Sequence, residues 1–198
     1  MSAGLRAEGL QHARAGPFSV AVPPGFCLAV TGPSGAGKSL LLRMVADLIP
    51  HHGEAWLGGV ARSSMPAPEW RRQVAYGAAE PGWWRERVGE HFAVLPVAEA
   101  ERLGLPADVF ARRVEECSTG ERARLALLRL LALRPAVLLL DEPTGALDGE
   151  AVRAAEALIA ESLRSGVGAI LVTHSPEQAE RLGTGRAEVR AGRLWASA

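Results

Sequence analysis

Apolar residues in this chain fall into short runs, some dense enough for strands and others spaced for helices. Two β-rich runs, 18–22 and 26–31, flank the turn Pro23-Pro24-Gly25 and predict consecutive strands. Residues 136–140 are almost continuously apolar, which is typical of a parallel strand covered on both faces. A short strand and turn are predicted at 53–60. Further strands are predicted within 71–77 and at 168–173, with a closing hairpin at 186–195 that turns at Ala191-Gly192.

Helical spacing appears between these strands. Helices are predicted at 38–49, where Pro50 ends the element, and at 119–133, 149–164 and 176–182. Residues 83–116 have helical character broken at Pro96 and at Gly104-Leu105-Pro106, which predicts a small helical subdomain. The alternation of strands and helices indicates an α/β fold with a mainly parallel sheet. We expect residues 1–198 to form one domain, with a catalytic core at 1–82 and 119–198 around a subdomain at 83–118.

Composition and charge exclude some classes of function. The 22 basic and 22 acidic residues give a net charge of zero, which argues against nucleic-acid partners held by bulk charge and against a polybasic lipid-binding patch. Two cysteines, Cys27 and Cys117, suit a reducing cytosol. No apolar run approaches the ~18 residues that would span a bilayer, and residues 1–11 do not resemble a signal peptide. If the protein works at a membrane, another chain is expected to cross it.

A phosphate-binding motif follows the second predicted strand and opens the first helix. It fits G-x-x-x-x-G-K-[ST], in which glycines let backbone N–H groups turn toward phosphate oxygens. Lys38 is the only lysine in a chain that otherwise uses arginine, and a bulky planar guanidinium would not fit this loop. The hydroxyl of Ser39 is placed to bind Mg²⁺. The predicted nucleotide-binding residues are Gly32, Pro33, Ser34, Gly35, Ala36, Gly37, Lys38 and Ser39.

Two carboxylates end the apolar strand at 136–140. Parallel strands carry their active groups at the carboxyl-terminal edge of the sheet. Asp141 can therefore hold Mg²⁺, directly or through water, and Glu142 is free to polarise a water for attack on a γ-phosphate.

The order of the motifs in the second half of the chain resembles that of ATP-binding cassette (ABC) proteins. Ser118-Thr119-Gly120-Glu121 precedes a basic and apolar helix and looks like the family's signature motif. Asp141-Glu142 and the run that ends at Asp148 follow it, and Thr173-His174 after a strand is similar to the family's H-switch. The resemblance covers residues 5–195, with a looser likeness to short ATPase subunits of two-component bacterial exporters in metal or iron homeostasis.

This resemblance implies both a fold and a mechanism. The fold would be a P-loop NTPase of ABC type, with a mainly parallel core sheet flanked by helices, an N-terminal antiparallel β part and a short helical subdomain. The ligands would be ATP and Mg²⁺. The chain would pair head-to-tail with a second nucleotide-binding subunit, most simply an identical one. It would lie at the cytoplasmic face of the bacterial plasma membrane, held there by an integral membrane permease.

Individual residues take roles from the same resemblance. Ser118 and Gly120 would contact the γ-phosphate of ATP bound to the other subunit, and Asp148 would reach the opposite phosphate loop. His174 would contact the γ-phosphate and steady the attacking water with Glu142, which makes Glu142, His174 and Lys38 the predicted catalytic residues.

The sequence departs from the family pattern at several positions. Thr119 adds a β-branched side chain to the signature. Ala79 stands where a metal-linked glutamine belongs, so Glu80 either replaces it as a Mg²⁺ ligand or faces solvent. The usual base-stacking aromatic residue is missing, and His12 is either its substitute or an exposed histidine.

Two questions stay open at the level of sequence. Trp83 and Trp84 are either anchors for the membrane partner or core residues, and one of each is possible because neighbouring side chains point differently. The preferred function is an ATPase that powers a separate transport protein. The alternatives are an ABC ATPase outside transport, or an ATP-dependent regulatory or sensor module with slow hydrolysis.

Overall fold

A computed structural model describes residues 4–196, which form two sheets and six α-helices. The strands are Leu5–His12 (β1), Ala15–Val22 (β2), Cys27–Thr31 (β3), His52–Leu57 (β4), Val60–Ala61 (β5), Val74–Gly77 (β6), Val137–Asp141 (β7), Gly168–Val172 (β8), Gly185–Arg190 (β9) and Arg193–Ala196 (β10). The helices are Lys38–Val45 (α1), Ala67–Gln73 (α2), Val97–Arg102 (α3), Thr119–Ala132 (α4), Gly149–Arg164 (α5) and Pro176–Leu182 (α6).

The larger sheet brings the predicted site residues to one edge. Its strand order is β10-β9-β3-β8-β7-β6, and all neighbours are parallel except the closing pair β9 and β10. The smaller sheet is antiparallel, in the order β2-β1-β4-β5. Because β3, β7 and β8 run in the same direction, their carboxyl ends and the loops that follow meet at one edge, where α/β proteins place ligands.

The core has two parts, one on either side of the larger sheet. In the first, α1 packs between the sheets with Phe18, Leu41 and Trp70, all fully buried. The Trp70 indole is satisfied there, since its Nε1 donates to the carbonyl oxygen of Val45 at 2.9 Å. In the second part, α4 and α5 cover the opposite face with apolar residues such as Leu125. The helix behind the phosphate loop is therefore held from both sheets.

Most predicted elements are confirmed, and α5 and α6 have the predicted bounds. The strand β1 and the helix α2 were missed by the sequence analysis. The helix predicted at 38–49 ends earlier, at Val45, because Asp47 takes a left-handed conformation with φ of 55°.

The segment 83–118 is less helical than its sequence indicated. It contains the six-residue α3 and three single 3₁₀ turns, at Val88–His91, Val109–Ala111 and Val114–Glu116. Pro96 and Pro106 lack an N–H donor, and Gly104 has a positive φ of 65°, so no longer helix can propagate. Within residues 4–196, no helix is both long enough and apolar enough to cross a membrane.

Candidate functional site

The loop between β3 and α1 has the backbone that a phosphate cradle needs. Gly32 has φ of 134°, and a Cβ atom there would lie 2.2 Å from the carbonyl oxygen of Val189. Gly37 has φ of 108°, and its Cβ would lie 2.9 Å from that of Ala15. Side chains are excluded at both positions, so the loop can turn tightly onto the first residue of α1. The start of α1 has no side-chain cap, which leaves N–H donors and a positive dipole end toward the loop.

Lys38 is folded back over this loop. Its side chain is almost fully buried, and Nζ donates to the carbonyl oxygens of Gly32 at 2.8 Å and Pro33 at 2.9 Å. Within residues 4–196, no carboxylate forms an ion pair with this buried ammonium, which is held by neutral carbonyls. An anion in the loop would supply a counter-charge.

Ser39 and Asp141 lie together although 102 positions separate them in the chain. The Ser39 hydroxyl donates to Asp141 Oδ1 at 3.1 Å, and the carboxylate is buried at the end of β7. The second oxygen, Oδ2, accepts a hydrogen bond of 2.9 Å from the Tyr76 hydroxyl. Tyr76 in turn accepts one of 3.4 Å from Arg43 Nε. Ser39 and Asp141 were predicted from the sequence, whereas Tyr76 and Arg43 were not.

The environment of Tyr76 keeps its hydroxyl protonated. Burial raises the pKa of the phenol and the Asp141 carboxylate raises it further, while contact with Arg43 offsets only part of the rise. Tyr76 is therefore a neutral donor toward Asp141 at physiological pH.

Glu142 and His174 form the second polar pair at the sheet edge. Glu142 has φ of 51°, an uncommon conformation for a residue with a side chain, and its N–H donates to the carbonyl oxygen of Val172 at 2.9 Å. His174 Nε2 lies 3.1 Å from Glu142 Oε1, and both side chains are partly exposed. A backbone strained in this way at a strand end is often found at functional sites.

Some of these groups line one cleft, whereas Asp141 and Tyr76 are not among the residues that line it. The phosphate loop, Glu142 and His174 all line it, and so does Arg14 from the turn between β1 and β2. Arg14 was missed by the sequence analysis, because a single arginine in a turn carries no signal in an arginine-rich chain. The cleft thus combines two cations with a carboxylate and a histidine.

The signature residues and Asp148 are not among those that line this cleft. Ser118 is the N-cap of α4: its Oγ accepts from the Glu121 N–H at 3.2 Å, and Glu121 Oε2 accepts from the Ser118 N–H at 2.7 Å. Gly120 lies in the first turn of the same helix. Asp148 caps α5, where its Oδ1 accepts from the Ala151 N–H at 3.0 Å. All three therefore lie at helix N-termini.

Glu80 and His12 are also absent from the residues that line the cleft. Glu80 is exposed in the bend after β6, which favours the solvent-facing alternative over a Mg²⁺ ligand. His12 is half-buried at the end of β1, and its Nδ1 accepts a hydrogen bond of 3.3 Å from the Arg14 N–H. The imidazole therefore stabilises the turn that contains Arg14.

A groove lies between the loop after β6 and α4. Trp84 is 67% exposed on its rim, whereas Trp83 packs against the second core cluster, so one tryptophan is exposed and the other is largely covered. The Arg129 guanidinium lies over both rings, 4.6 Å and 4.5 Å from their centroids. Burial lowers the pKa of Arg129, which nevertheless stays charged. Its Nη1 and the Nε1 of Trp83 are buried without a hydrogen-bond partner in residues 4–196. We call the groove lined by Trp84 and Arg129 the tryptophan groove.

Similarity to known proteins identifies the family to which this chain belongs. The family profile described as "ABC transporter" matches residues 16–145. The chain belongs to the ABC transporter family. The resemblance drawn from the signature block and the fold expected from it are both confirmed.

Three relatives illustrate the match within the ABC transporter family. The chain is 36% identical over 181 residues to "Fe(3+) ions import ATP-binding protein FbpC" of Pseudomonas fluorescens, covering 83% of this chain and 52% of the relative. It is 34% identical to "Cobalt import ATP-binding protein CbiO" of Rhodobacter capsulatus, with 97% and 77% covered. It is 33% identical to "Probable iron export ATP-binding protein FetA" of Escherichia coli, with 75% and 72% covered.

The chain spans about half the length of several curated relatives that it matches. A solved structure titled "Structure of ATP binding subunit of ABC transporter" superimposes with a TM-score of 0.87 at 22% identity, covering 96% of this chain and 87% of the other. This likeness confirms the ABC ATPase fold.

Proposed function

We propose that this chain binds MgATP and hydrolyses it to power a separate membrane transport protein. The observation that carries the proposal is the pair Glu142 and His174, 3.1 Å apart, beside a phosphate loop that contains a buried lysine. A general base must lie within hydrogen-bond reach of the water that it activates. A histidine 3.1 Å from Glu142 can orient both the carboxylate and that water. Among the described residues that line the cleft, Glu142 is the one carboxylate and His174 the one histidine.

The residues at the sheet edge suit Mg²⁺. This ion prefers hard oxygen ligands, keeps several waters and uses only one or two carboxylates together with substrate phosphates. Ser39 Oγ and Asp141 Oδ1, 3.1 Å apart, offer a hydroxyl and a carboxylate oxygen for it. When bound, Mg²⁺ neutralises charge on the phosphates. The sparse donor set fits the ion because phosphate and water supply the remaining ligands.

Three side chains of this chain perform the reaction in the proposal. Lys38 leaves the carbonyls that it now contacts and binds the β- and γ-phosphates. Glu142 accepts a hydrogen bond from the attacking water, and His174 holds that water and the γ-phosphate in line. Arg14 is a second cation at the mouth of the same cleft.

The active site is completed by a second copy. Ser118, Gly120 and Asp148 lie at helix N-termini outside the cleft of their own chain. A head-to-tail homodimer would place the signature of one subunit over the phosphate loop of the other, where the α4 N-terminus favours an anion. One subunit alone would then bind ATP and hydrolyse it poorly.

The tryptophan groove is the proposed docking site for the membrane permease. It offers an exposed aromatic ring beside buried donors that lack acceptors, which suits an amphipathic segment with apolar side chains and a carboxylate or carbonyl oxygen. The protein would accordingly lie at the cytoplasmic face of the plasma membrane. Relatives of this chain are named for iron, for cobalt and for sulfate or thiosulfate, so an inorganic ion is the proposed class of cargo. No nucleic-acid partner is proposed, because the net charge is zero.

Two measurements test these proposals. Phosphate release by the purified chain should depend on MgATP and should fall at least ~100-fold in Glu142→Gln, which keeps nucleotide binding because only the base is changed. Equal rates in wild type and variant would remove Glu142 from this role. Glu142→Gln protein extracted from membranes with MgATP should retain a polytopic membrane protein in stoichiometric yield. Recovery of soluble partners only would favour an ABC ATPase outside transport.

A further inference from the structure

Asp141 is held from two sides by residues that come from different elements. Ser39 on α1 contacts Oδ1 at 3.1 Å, and Tyr76 on β6 contacts Oδ2 at 2.9 Å. Asp141 is 3% exposed, so bulk solvent has little access to replace either contact. A buried carboxylate whose hydrogen bonds are both fixed has one orientation of its plane.

Strand register explains how Tyr76 reaches this position. Tyr76 pairs with Leu139 on the parallel neighbour β7, and Asp141 follows two residues later on the same face of the sheet. The long phenol side chain can therefore extend along β7 to the carboxylate. Arg43 reaches the same hydroxyl from α1, four residues after Ser39 and on the same side of the helix.

We propose that Tyr76 is a positioning residue for the magnesium site. Its hydroxyl holds the Asp141 carboxylate so that Oδ1 is directed toward Ser39. This rests on the proposed function. Tyr76 would then connect β6 to the metal site from within the strand. The residues after the strand do not offer this connection, because Ala79 has no polar group and Glu80 is exposed. Partners that orient metal-binding carboxylates commonly contribute about 10–100-fold to metal affinity or activity.

The experiment measures binding of a fluorescent ATP analogue to the purified chain at rising Mg²⁺ concentrations, and again in EDTA. Tyr76→Phe removes only the hydroxyl. We expect it to raise the Mg²⁺ concentration for half-maximal enhancement about 10-fold, with an unchanged dissociation constant in EDTA. Tyr76→Met should show the same shift, because it also lacks the hydroxyl. Glu80→Gln tests the alternative ligand and should titrate like wild type, because Glu80 is exposed.

The outcomes separate the inference from the function on which it rests. A wild-type Mg²⁺ response in Tyr76→Phe, or equal weakening with Mg²⁺ and in EDTA, would overturn the positioning role while leaving ATP binding intact. A shift in Glu80→Gln without one in Tyr76→Phe would assign the role to Glu80. Failure of the wild-type chain to bind the analogue at all would overturn the proposed function together with this inference.

Discussion

His174 Nε2 lies 3.1 Å from Glu142 Oε1, although the two residues follow different strands. Parallel register brings this about, since Asp141 at the end of β7 pairs with Val172 at the end of β8. Each of the two side chains therefore emerges just beyond a paired strand end. The contact between Glu142 and His174 therefore results from strand pairing in the sheet and not from a local sequence motif.

This geometry predicts the effect of removing the imidazole. His174→Ala should lower the maximal rate of phosphate release by about 10²-fold or more, because the group that orients water and base is lost. Binding of ATP measured by fluorescence should change little. His52→Ala, at an exposed position on β4, is the control and should keep the wild-type rate. A normal rate in His174→Ala would exclude the imidazole from the reaction.

Asp148 has a structural task that can be measured without any partner. Its carboxylate accepts from the Ala151 N–H, so Asp148→Ala leaves the first turn of α5 uncapped. We expect a loss of about 1 kcal/mol in the free energy of unfolding, measured by urea denaturation. Asp148→Asn should restore most of it, since asparagine caps as well as aspartate. Equal stability of the alanine and asparagine variants would contradict the capping role.

The tryptophan groove predicts a loss of membrane association without a loss of nucleotide binding. Trp84→Ala should reduce the yield of co-purified membrane protein several-fold, as expected for an exposed aromatic anchor. Trp195→Ala removes another exposed tryptophan, on β10 and outside the groove, and serves as the control. If both variants lose the membrane protein equally, or neither does, the groove is not the docking site.

Cys27 predicts a pH dependence of stability. Burial raises the pKa of its thiol from 9.0 to about 12, so the folded state keeps the proton that the unfolded chain releases. The folded-state pKa is the higher one. The contribution to stability is therefore complete below pH 9 and is lost as the pH rises toward 12.

Urea denaturation at pH 8 and at pH 10.5 checks this. Wild type should lose more stability between the two values than Cys27→Ala, which has no thiol to ionise. The native thiol should also stay unreactive toward an aromatic disulfide until the chain is unfolded, because the thiolate is the reactive form. Rapid labelling of Cys27 in the native protein would show that it is not buried.

Local motifs in the sequence were sufficient for the phosphate loop and for the strand that ends in Asp141. Both depend on neighbours within ten positions, such as the glycines of the loop and the apolar run before the carboxylates. The parallel sheet followed from the alternation of elements. The start of α4 at Thr119 was predicted as well.

Contacts between distant elements were not readable. Tyr76 lies on a strand of four residues, and only its register with β7 places it beside Asp141. Arg14 reaches the cleft because the β1–β2 hairpin packs on the phosphate loop. The spacing of residues in the sequence does not predict this contact. In 83–118 the helical composition was correct, but prolines and a left-handed glycine prevented helices from extending.

In the proposed mechanism, the active site combines the phosphate loop of one subunit with the signature of another. Two inactive variants test it when mixed: Lys38→Ala, which has a defective loop, and Ser118→Arg, which has a defective signature. Each alone should release almost no phosphate. An equimolar mixture should recover about a quarter of the wild-type rate if subunits pair at random, because half of the dimers then contain one intact composite site. A mixture that stays inactive, or a fully active Ser118→Arg variant, would contradict the composite site.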